Sequence, residues 1–304
     1  WTLMNRSRID KAVVAMAPEF SRNHLQWLID QGQVVVDGEV ARTASHKVRA
    51  GQALDIVLVP TEESKAFRPE AMPLRIVHED ADVLVIDKPA GLVVHPASGN
   101  WTGTLLNGLL FHYPMAATLP RAGIVHRLDK DTSGLLVIGK TLVAVTSLSR
   151  QIAARTVSRE YVAIVHGETR EREFTVDAPI GRDPISRVRM AVVASGRPAR
   201  TEIRCLARAT GFSALACKLH TGRTHQIRVH LASRGHPLVA DATYGGRPAL
   251  GMSRQALHAE RLSFTHPTSG LPVGFESSLP HDMASAMATL ATPMQHPDFS
   301  IGLR

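Results

Sequence analysis

A single carboxylate lies among cations in residues 123–141, which read GIVHRLDKDTSGLLVIGKT. Asp129 follows His126 and Arg127 and precedes Lys130. Nearby cations keep a carboxylate ionised, and an ionised carboxylate can act as a nucleophile. The polar residues around Asp129 separate two strand-like segments, so we expect this side chain to project from a loop at a sheet edge. The competing interpretation is a surface ion pair with a neighbouring cation.

The same segment contains the letters of a nucleotide-binding P-loop, G-x-x-x-x-G-K-[ST], from Gly134 to Thr141. That motif works as an open turn whose backbone N–H groups surround phosphates. Residues 135–138 read LLVI, and such bulky residues favour a buried strand over an open turn. We therefore expect a strand here and no nucleotide cofactor. A nucleotide hydrolase would instead lose its turnover in a Lys140→Ala variant.

The charge of the chain indicates a polyanionic partner. The 304 residues have a formal net charge of +8. Residues 1–62 contain seven Lys/Arg and seven Asp/Glu, so residues 63–304 carry the whole excess. Such a balance is typical of nucleic-acid binding. Aromatic residues make up only 5% of the chain, which argues against a platform that stacks many bases.

The sequence predicts a cytoplasmic protein without a membrane partner. It has no apolar run near the roughly 18 residues that a membrane-spanning helix needs. Its two cysteines, Cys205 and Cys217, cannot form a disulfide scaffold, and buried, inert thiols are the simplest interpretation.

Residues 4–59 are predicted to form a small domain of two helices followed by strands. Residues 8–16 (RIDKAVVAM) have apolar residues at helical spacing, and Leu25, Leu28 and Ile29 share one face of a second helix. An Asp-Gly turn then joins two short strands. This order resembles the alpha-L RNA-binding domain, chiefly over SRNHLQWLIDQGQVVVDG. Residues 60–73, polar and with three prolines, are the predicted linker.

Residues 74–304 are predicted to form one larger α+β domain. Strand-like segments such as DVLVIDKP, REYVAIVHG and SALACKLH are often adjacent, and only a few helical segments intervene. Strands in that order favour a mixed, mostly antiparallel sheet with flanking helices over a doubly wound fold.

Six ordered motifs in this larger domain resemble those of the RluA family of pseudouridine synthases. They are DVLVIDKPAGLVVHP, GIVHRLDKDTSGL, REYVAIVHG, GRPARTEI, LHTGRTHQIRVHLASRGHPLVADATYGG and RQALHAERLSFTHP. Within the family, they are most similar to enzymes that modify large-subunit ribosomal RNA.

The resemblance implies a role for each of four residues. Asp129, in H-R-L-D, would be the catalytic nucleophile, and Arg228, in H-Q-I-R, would pair with it. Tyr161 would stack on the target base and assist in removing a proton. Arg127 would occupy the place that the flipped-out base leaves in the RNA stack. The reaction is an isomerisation, so we expect neither a metal nor another cofactor.

Further residues are predicted to contact RNA. Lys130, Arg223 and His225 could line an anion-binding groove beside the catalytic residues, and Arg22 and Lys47 could follow phosphates on the small domain. The alternative for these last two is a solvated surface.

A zinc site is the alternative for His220, His225 and His230. Ligands five residues apart diverge on a helix, however, and no cysteine or carboxylate joins the three histidines within the motif.

The sequence thus predicts a monomeric enzyme that converts specific uridines of large-subunit ribosomal RNA, free or in a pre-ribosomal particle, to pseudouridine. Two alternatives remain open. One is a synthase of the same family with a different ribosomal RNA target. The other is a non-catalytic RNA-binding or ribosome assembly factor.

Overall fold

The computed structural model describes residues 7–17, 22–57, 66–97, 99–186 and 188–291. The chain divides into two compact units, Trp1–Ala66 and Phe67–Arg304. Residues 60–65 of the predicted linker and the chain end from residue 292 lie outside the described residues. Within the described part of the chain, no helix is long and apolar enough to cross a lipid bilayer.

In its described residues, the first unit contains two helices and five short strands. Leu25, Leu28 and Ile29 are fully buried, so the second helix packs the face that its spacing predicted. At the Asp-Gly turn both residues have positive φ, 50° at Asp37 and 88° at Gly38, as a type I′ hairpin turn requires. The elements are α1 (Ile9–Met16), α2 (Arg22–Asp30), β1 (Ser7–Arg8), β2 (Val34–Val36), β3 (Glu39–Val40), β4 (Lys47–Val48) and β5 (Leu54–Ile56).

The second unit is built on a nine-stranded sheet, confirming the predicted mixed, mostly antiparallel arrangement. Its strands are β6 (Ile76–Glu79), β7 (Val83–Lys88), β8 (Ser133–Gly139), β9 (Ser158–His166), β10 (Glu173–Asp177), β13 (Arg200–Ala209), β14 (Phe212–Leu219), β15 (Leu257–Thr265) and β16 (Pro272–Glu276). The order is β10-β13-β14-β9-β15-β8-β7-β6, with β16 also paired to β15. Only the β8–β15 pair is parallel among these described strands. A separate two-stranded sheet consists of β11 (Ile180–Arg182) and β12 (Met190–Val192).

Helices cover both faces of this sheet. Side chains alternate along β7 and β8, so Leu84 and Leu136 join a core cluster with Leu105 of helix α3 (Leu105–His112). On the other face, Val85 packs in a cluster with Leu148 of helix α4 (Leu142–Ala153). Burial on both faces explains why β7 and β8 are almost continuously apolar. The helices are α3 (Leu105–His112), α4 (Leu142–Ala153), α5 (Gln226–Ser233) and α6 (His281–Ala291); α5 lies with α3, whereas α6 packs on the opposite face.

The P-loop letters form a strand. All of Ser133–Gly139 is buried in β8, so these backbone groups pair with neighbouring strands and cannot surround phosphates. The Lys140 ammonium forms an ion pair with Glu79 at 2.9 Å. The expectation of a buried strand here is confirmed.

Residues 68–70 fall within the predicted linker, yet they belong to the second unit and pack on the rest of it. Arg68 accepts a hydrogen bond through its carbonyl oxygen from the Asn107 amide of α3. Glu70 accepts one through its carboxylate from the backbone of Gly103. These contacts attach residues 68–70 to α3 and its N-terminus.

Candidate active site

A cavity of about 740 Å³ opens in the second unit, on the sheet face that α3 and α5 cover. Its walls come from the loop before β8, from β9, and from the segment between β14 and α5. Parts of the chain about 100 residues apart meet there. Six predicted residues line it: Asp129, Tyr161, Arg228, Arg127, Arg223 and His225.

An ion pair joins Asp129 and Arg228 in this cavity. The Arg228 Nη1 group donates a hydrogen bond of 3.0 Å to Asp129 Oδ2. The other oxygen, Oδ1, lies 3.9 Å from His225 Nε2, too far for a hydrogen bond. The Asp129 side chain is 19% exposed. The carboxylate is therefore held through one oxygen and accessible from the cavity.

Asp241 holds the other side of the Arg228 guanidinium, and sequence reasoning missed it. Arg228 donates from Nε to Asp241 Oδ2 at 2.7 Å and from Nη2 to Oδ1 at 2.8 Å. Burial alone lowers the pKa of Arg228, but hydrogen bonds and charge from Asp241 and Asp129 outweigh it and raise that pKa. The bidentate pair fixes the plane of the guanidinium, so Nη1 is aimed at Asp129.

The Tyr244 ring and the His225 imidazole complete the surroundings of this pair. The Arg228 guanidinium lies over the Tyr244 ring, 5.0 Å from its centroid. The Tyr244 hydroxyl oxygen lies 2.8 Å from His225 Nδ1. Burial lowers the pKa of His225, although the charge of Asp129 opposes this shift. A largely neutral imidazole therefore lies beside the carboxylate.

Tyr161 lies near the middle of β9, where its backbone is paired with both neighbouring strands. Its register partners are Cys217 on β14 and Ala259 on β15. Burial raises the pKa of the Tyr161 hydroxyl, the Arg159 charge opposes this effect, and the Asp129 charge adds to it. The phenol is thus rigidly positioned and neutral at physiological pH.

A buried lysine anchors the loop that carries Asp129. Lys88, at the end of β7, is fully buried and donates from Nζ to the carbonyl oxygens of Pro89, Leu92 and Lys130. Burial lowers the pKa of Lys88 to about 7, against the opposing charges of two aspartates. The bond to the Lys130 carbonyl ties the residue after Asp129 to the sheet.

A close approach of two strands fixes the other end of that loop. Gly134, with φ 112°, pairs with Ala259 of β15. A Cβ atom there would lie 2.2 Å from the Ala259 carbonyl oxygen. Only glycine fits at this position.

Gln226 shapes the segment that leads into α5. Its Oε1 accepts from the Thr221 hydroxyl at 2.7 Å and from the Arg223 backbone at 3.0 Å. His225 precedes the helix in the left-handed region, with φ 55°. This tight entry brings Arg228, in the first turn of α5, to the cavity.

The remaining predicted residues lie elsewhere. The Lys130 side chain is exposed and is not part of the cavity wall. Arg22 and Lys47 lie in the first unit, where Arg22 donates to buried Asp10 at 3.0 Å. Their roles in RNA binding stay predictions.

The three histidines considered for zinc have separate partners. His230 Nδ1 lies 2.9 Å from the Thr201 hydroxyl, and His220 Nε2 lies 2.9 Å from Glu202. His225 contacts Tyr244. Their imidazoles therefore do not converge on a common point.

Three further arginines line the cavity: Arg121, Arg155 and Arg159. Among the described residues of the wall, Asp129 is the sole carboxylate, and it is already paired. The cavity is therefore strongly cationic, which suits a polyanion. The basic composition predicted this charge but could not place these three residues.

The sequence of this second unit matches a known enzyme family. The family of RNA pseudouridylate synthases matches residues 82–233, which include Asp129, Tyr161 and Arg228. The chain belongs to this family. The S4 domain, an RNA-binding domain, matches residues 7–54. The resemblances of both units are thereby confirmed.

Named relatives cover nearly the whole chain. Ribosomal large subunit pseudouridine synthase D of Nitrosomonas europaea is 50% identical over 291 residues, which are 93% of this chain and 84% of that protein. The protein of the same name from Escherichia coli is 44% identical over 297 residues, 93% of this chain and 90% of that protein. Among solved structures, human RNA Pseudouridylate Synthase Domain Containing 1 has a TM-score of 0.56 and 28% identity, covering 78% of this chain and 99% of that one.

Proposed function

We propose that this protein converts uridines of large-subunit ribosomal RNA to pseudouridine, with Asp129 as the nucleophile. The observation that carries the proposal is the Asp129 carboxylate, held by Arg228 at 3.0 Å inside a cationic cavity lined also by Tyr161. The named function of the relatives supports the choice of RNA.

The chemistry needs little besides these groups. The N1–C1′ bond of uridine breaks, the uracil ring turns, a C5–C1′ bond forms, the C5 proton leaves and N1 takes up a proton. Substrate and product are isomers, so electrons and atoms balance without a co-reactant. In the proposed cycle, Asp129 forms a transient adduct with the nucleotide and Arg228 orients its carboxylate. The cavity holds the detached base.

Tyr161 and Arg127 would handle the base and the space that it leaves. The Tyr161 ring offers a stacking surface, and its neutral hydroxyl could relay the C5 proton by accepting it while passing on its own. Extruding a stacked base costs a few kcal/mol. Arg127 is an exposed residue of the cavity wall, two residues before Asp129, so its guanidinium could enter the RNA and offset part of this cost.

The S4 unit would tether the enzyme to ribosomal RNA. A second binding unit on one chain raises the effective concentration of the catalytic unit at its substrate. Lys47 is exposed there and available to phosphates, while Arg22 shares its charge with Asp10. We infer a monomer acting in the cytoplasm, on free ribosomal RNA or on a pre-ribosomal particle.

Release of tritium from C5-labelled uridine tests the activity. The purified chain should release tritium from a large-subunit ribosomal RNA transcript in EDTA, without nucleotide. Asp129→Asn, which keeps the shape of the side chain, should release none. Release from neither protein would refute the enzyme proposal and favour a non-catalytic RNA-binding factor. Equal release from both would refute Asp129 as the nucleophile.

Mapping pseudouridines in ribosomal RNA tests the target. RNA from cells that lack the gene, complemented with the wild type or with Asp129→Asn, should differ at specific large-subunit uridines. If only another RNA loses pseudouridines, the protein is still a pseudouridine synthase, but large-subunit ribosomal RNA is not its substrate.

A further inference from the structure

Three buried side-chain nitrogens of the cavity wall have no hydrogen-bond partner in the described residues. One, His220 Nε2, lies 2.9 Å from the Glu202 carboxylate, and the other two belong to Arg159 and His126. Within the described residues, neither the Nε group of Arg159 nor the Nδ1 atom of His126 has a hydrogen-bond partner. His126 Nε2 accepts from the Val137 backbone at 3.2 Å, so the proton of a neutral ring is on Nδ1. Burial, helped by the Arg159 charge, lowers the pKa of His126 to about 3, which keeps the ring neutral. Both side chains therefore present an unused N–H group.

The position of Arg159 is built into the fold. It lies on β9 two residues before Tyr161, and both side chains line the cavity, as the alternation of a strand requires. Gly222, in the segment before α5, leaves space for the Arg159 guanidinium because it has no side chain. A Cβ atom at Gly222 would lie 2.7 Å from Arg159 Nη1.

The Arg159 charge also lacks a counter-ion. Arg159 is only 7% exposed, yet none of the carboxylates in the described residues forms an ion pair with its guanidinium. Asp129, the carboxylate of the wall, is held by Arg228 at 3.0 Å. A buried cation without an anion is costly, so a ligand that supplies the anion is stabilised there.

We propose that Arg159 and His126 form a phosphate subsite that binds one phosphodiester of the target RNA strand. The guanidinium would donate to the non-bridging oxygens as a fork, and His126 Nδ1 would add a third donor. A uracil carbonyl could accept a hydrogen bond, but a neutral group would not balance the charge of Arg159. The proposal deepens the proposed function, because it rests on RNA as the ligand of this cavity.

Binding of a short large-subunit ribosomal RNA fragment, measured by fluorescence anisotropy over a salt series, tests the subsite. Arg159→Gln should weaken binding by about 10- to 100-fold, the effect of a lost charged hydrogen bond. The slope of log K against log salt should fall by about 1. Arg170→Gln, which removes an exposed charge away from the cavity wall, is the matched control and should change both values little.

A second arm leaves the side chain in place. Gly222→Ala retains the Arg159 charge but displaces its guanidinium, so it should also weaken RNA binding.

A third arm changes the RNA. In the wild type, the fragment should bind more weakly when one particular phosphodiester linkage is replaced by a neutral methylphosphonate. That loss should vanish in Arg159→Gln, because the contact is already missing.

The outcomes separate this proposal from the enzymatic one. These binding measurements need no turnover, so they stand even if tritium release fails. The subsite is refuted if no single linkage shows a loss that depends on Arg159. It is also refuted if Arg159→Gln binds RNA as the wild type does and only slows turnover, since Arg159 would then act on the base.

Discussion

Asp241→Asn should separate the positioning of the catalytic pair from RNA binding. In the wild type, the Arg228 guanidinium donates two hydrogen bonds to Asp241 and one to Asp129. The amide offers one oxygen in place of two and turns an NH₂ group towards the guanidinium. Arg228 therefore loses the partner that fixes its plane, while the total number of cations stays the same.

The magnitude follows from burial. Arg228 is 7% exposed and Asp241 only 1%, so the pair is screened little by water. Breaking a buried ion pair by removing one partner costs about 3–5 kcal/mol of unfolding free energy. One hydrogen bond survives, so we expect a loss of about 3 kcal/mol, equivalent to a melting temperature about 6–12 °C lower for a unit of this size. A misplacement of about 1 Å at Asp129 would slow the chemical step about 100-fold.

Single-turnover tritium release at saturating RNA and urea unfolding are the assays. RNA affinity should stay within a few-fold of the wild type. Asp282→Asn is the matched control, because Arg254 donates to Asp282 in the same bidentate way, at 2.7 and 2.9 Å. Asp282 is 37% exposed, so its loss should cost under about 1.5 kcal/mol and leave turnover near the wild type.

A wild-type turnover rate in Asp241→Asn would show that Arg228 does not need Asp241 for its orientation. An unchanged free energy of unfolding would show that the buried pair contributes no net stability. Either result contradicts the reasoning. Equal loss of turnover in Asp241→Asn and Asp282→Asn would point to general destabilisation instead.

The remaining predictions concern Tyr161, Lys88 and the S4 unit. Tyr161→Phe should keep RNA affinity but slow tritium release at least about 10-fold, whereas equal rates would remove the hydroxyl from the proton transfer. Because burial raises the pKa of Tyr161, the wild-type rate should show no step from tyrosine ionisation between pH 6 and roughly pH 10, its ordinary pKa. Lys88→Met leaves three carbonyl oxygens without their donor and frees the Lys130 end of the catalytic loop, so urea unfolding should show a loss of about 3 kcal/mol and turnover should fall. A melting curve like that of the wild type would contradict this anchoring role. Lys47→Glu should raise the RNA Kd a few-fold without changing the rate at saturating RNA. If the variant binds RNA as tightly as the wild type across a salt series, the S4 unit does not tether the enzyme through Lys47. Arg22→Glu is a poorer test, because it places a second carboxylate beside a buried one and should destabilise the S4 unit.

Local chemistry is strong enough in several segments for the sequence to predict their structure. The LLVI run at 135–138 could not form an open phosphate-binding turn, and it lies in a buried strand. The Asp-Gly pair predicted a hairpin, and its positive φ angles show why those residue types are needed there. The ordered motifs predicted the family, and Asp129, Tyr161 and Arg228 line one cavity as that resemblance implied.

Contacts between residues that are distant in the sequence determine the features that the sequence did not predict. Asp241 follows Arg228 by 13 residues, in a loop with no helical or strand period to mark it, and only folding shows that the two meet. Lys88 looks like an ordinary strand-end lysine, but its ammonium group is satisfied by three backbone carbonyl oxygens, which no side-chain pattern reveals. The unpaired donors of Arg159 and His126 are likewise visible only when every neighbour is in place. Sequence specifies which groups are present and how each segment folds locally, whereas hydrogen-bond partners depend on ångström distances between segments that are remote along the chain.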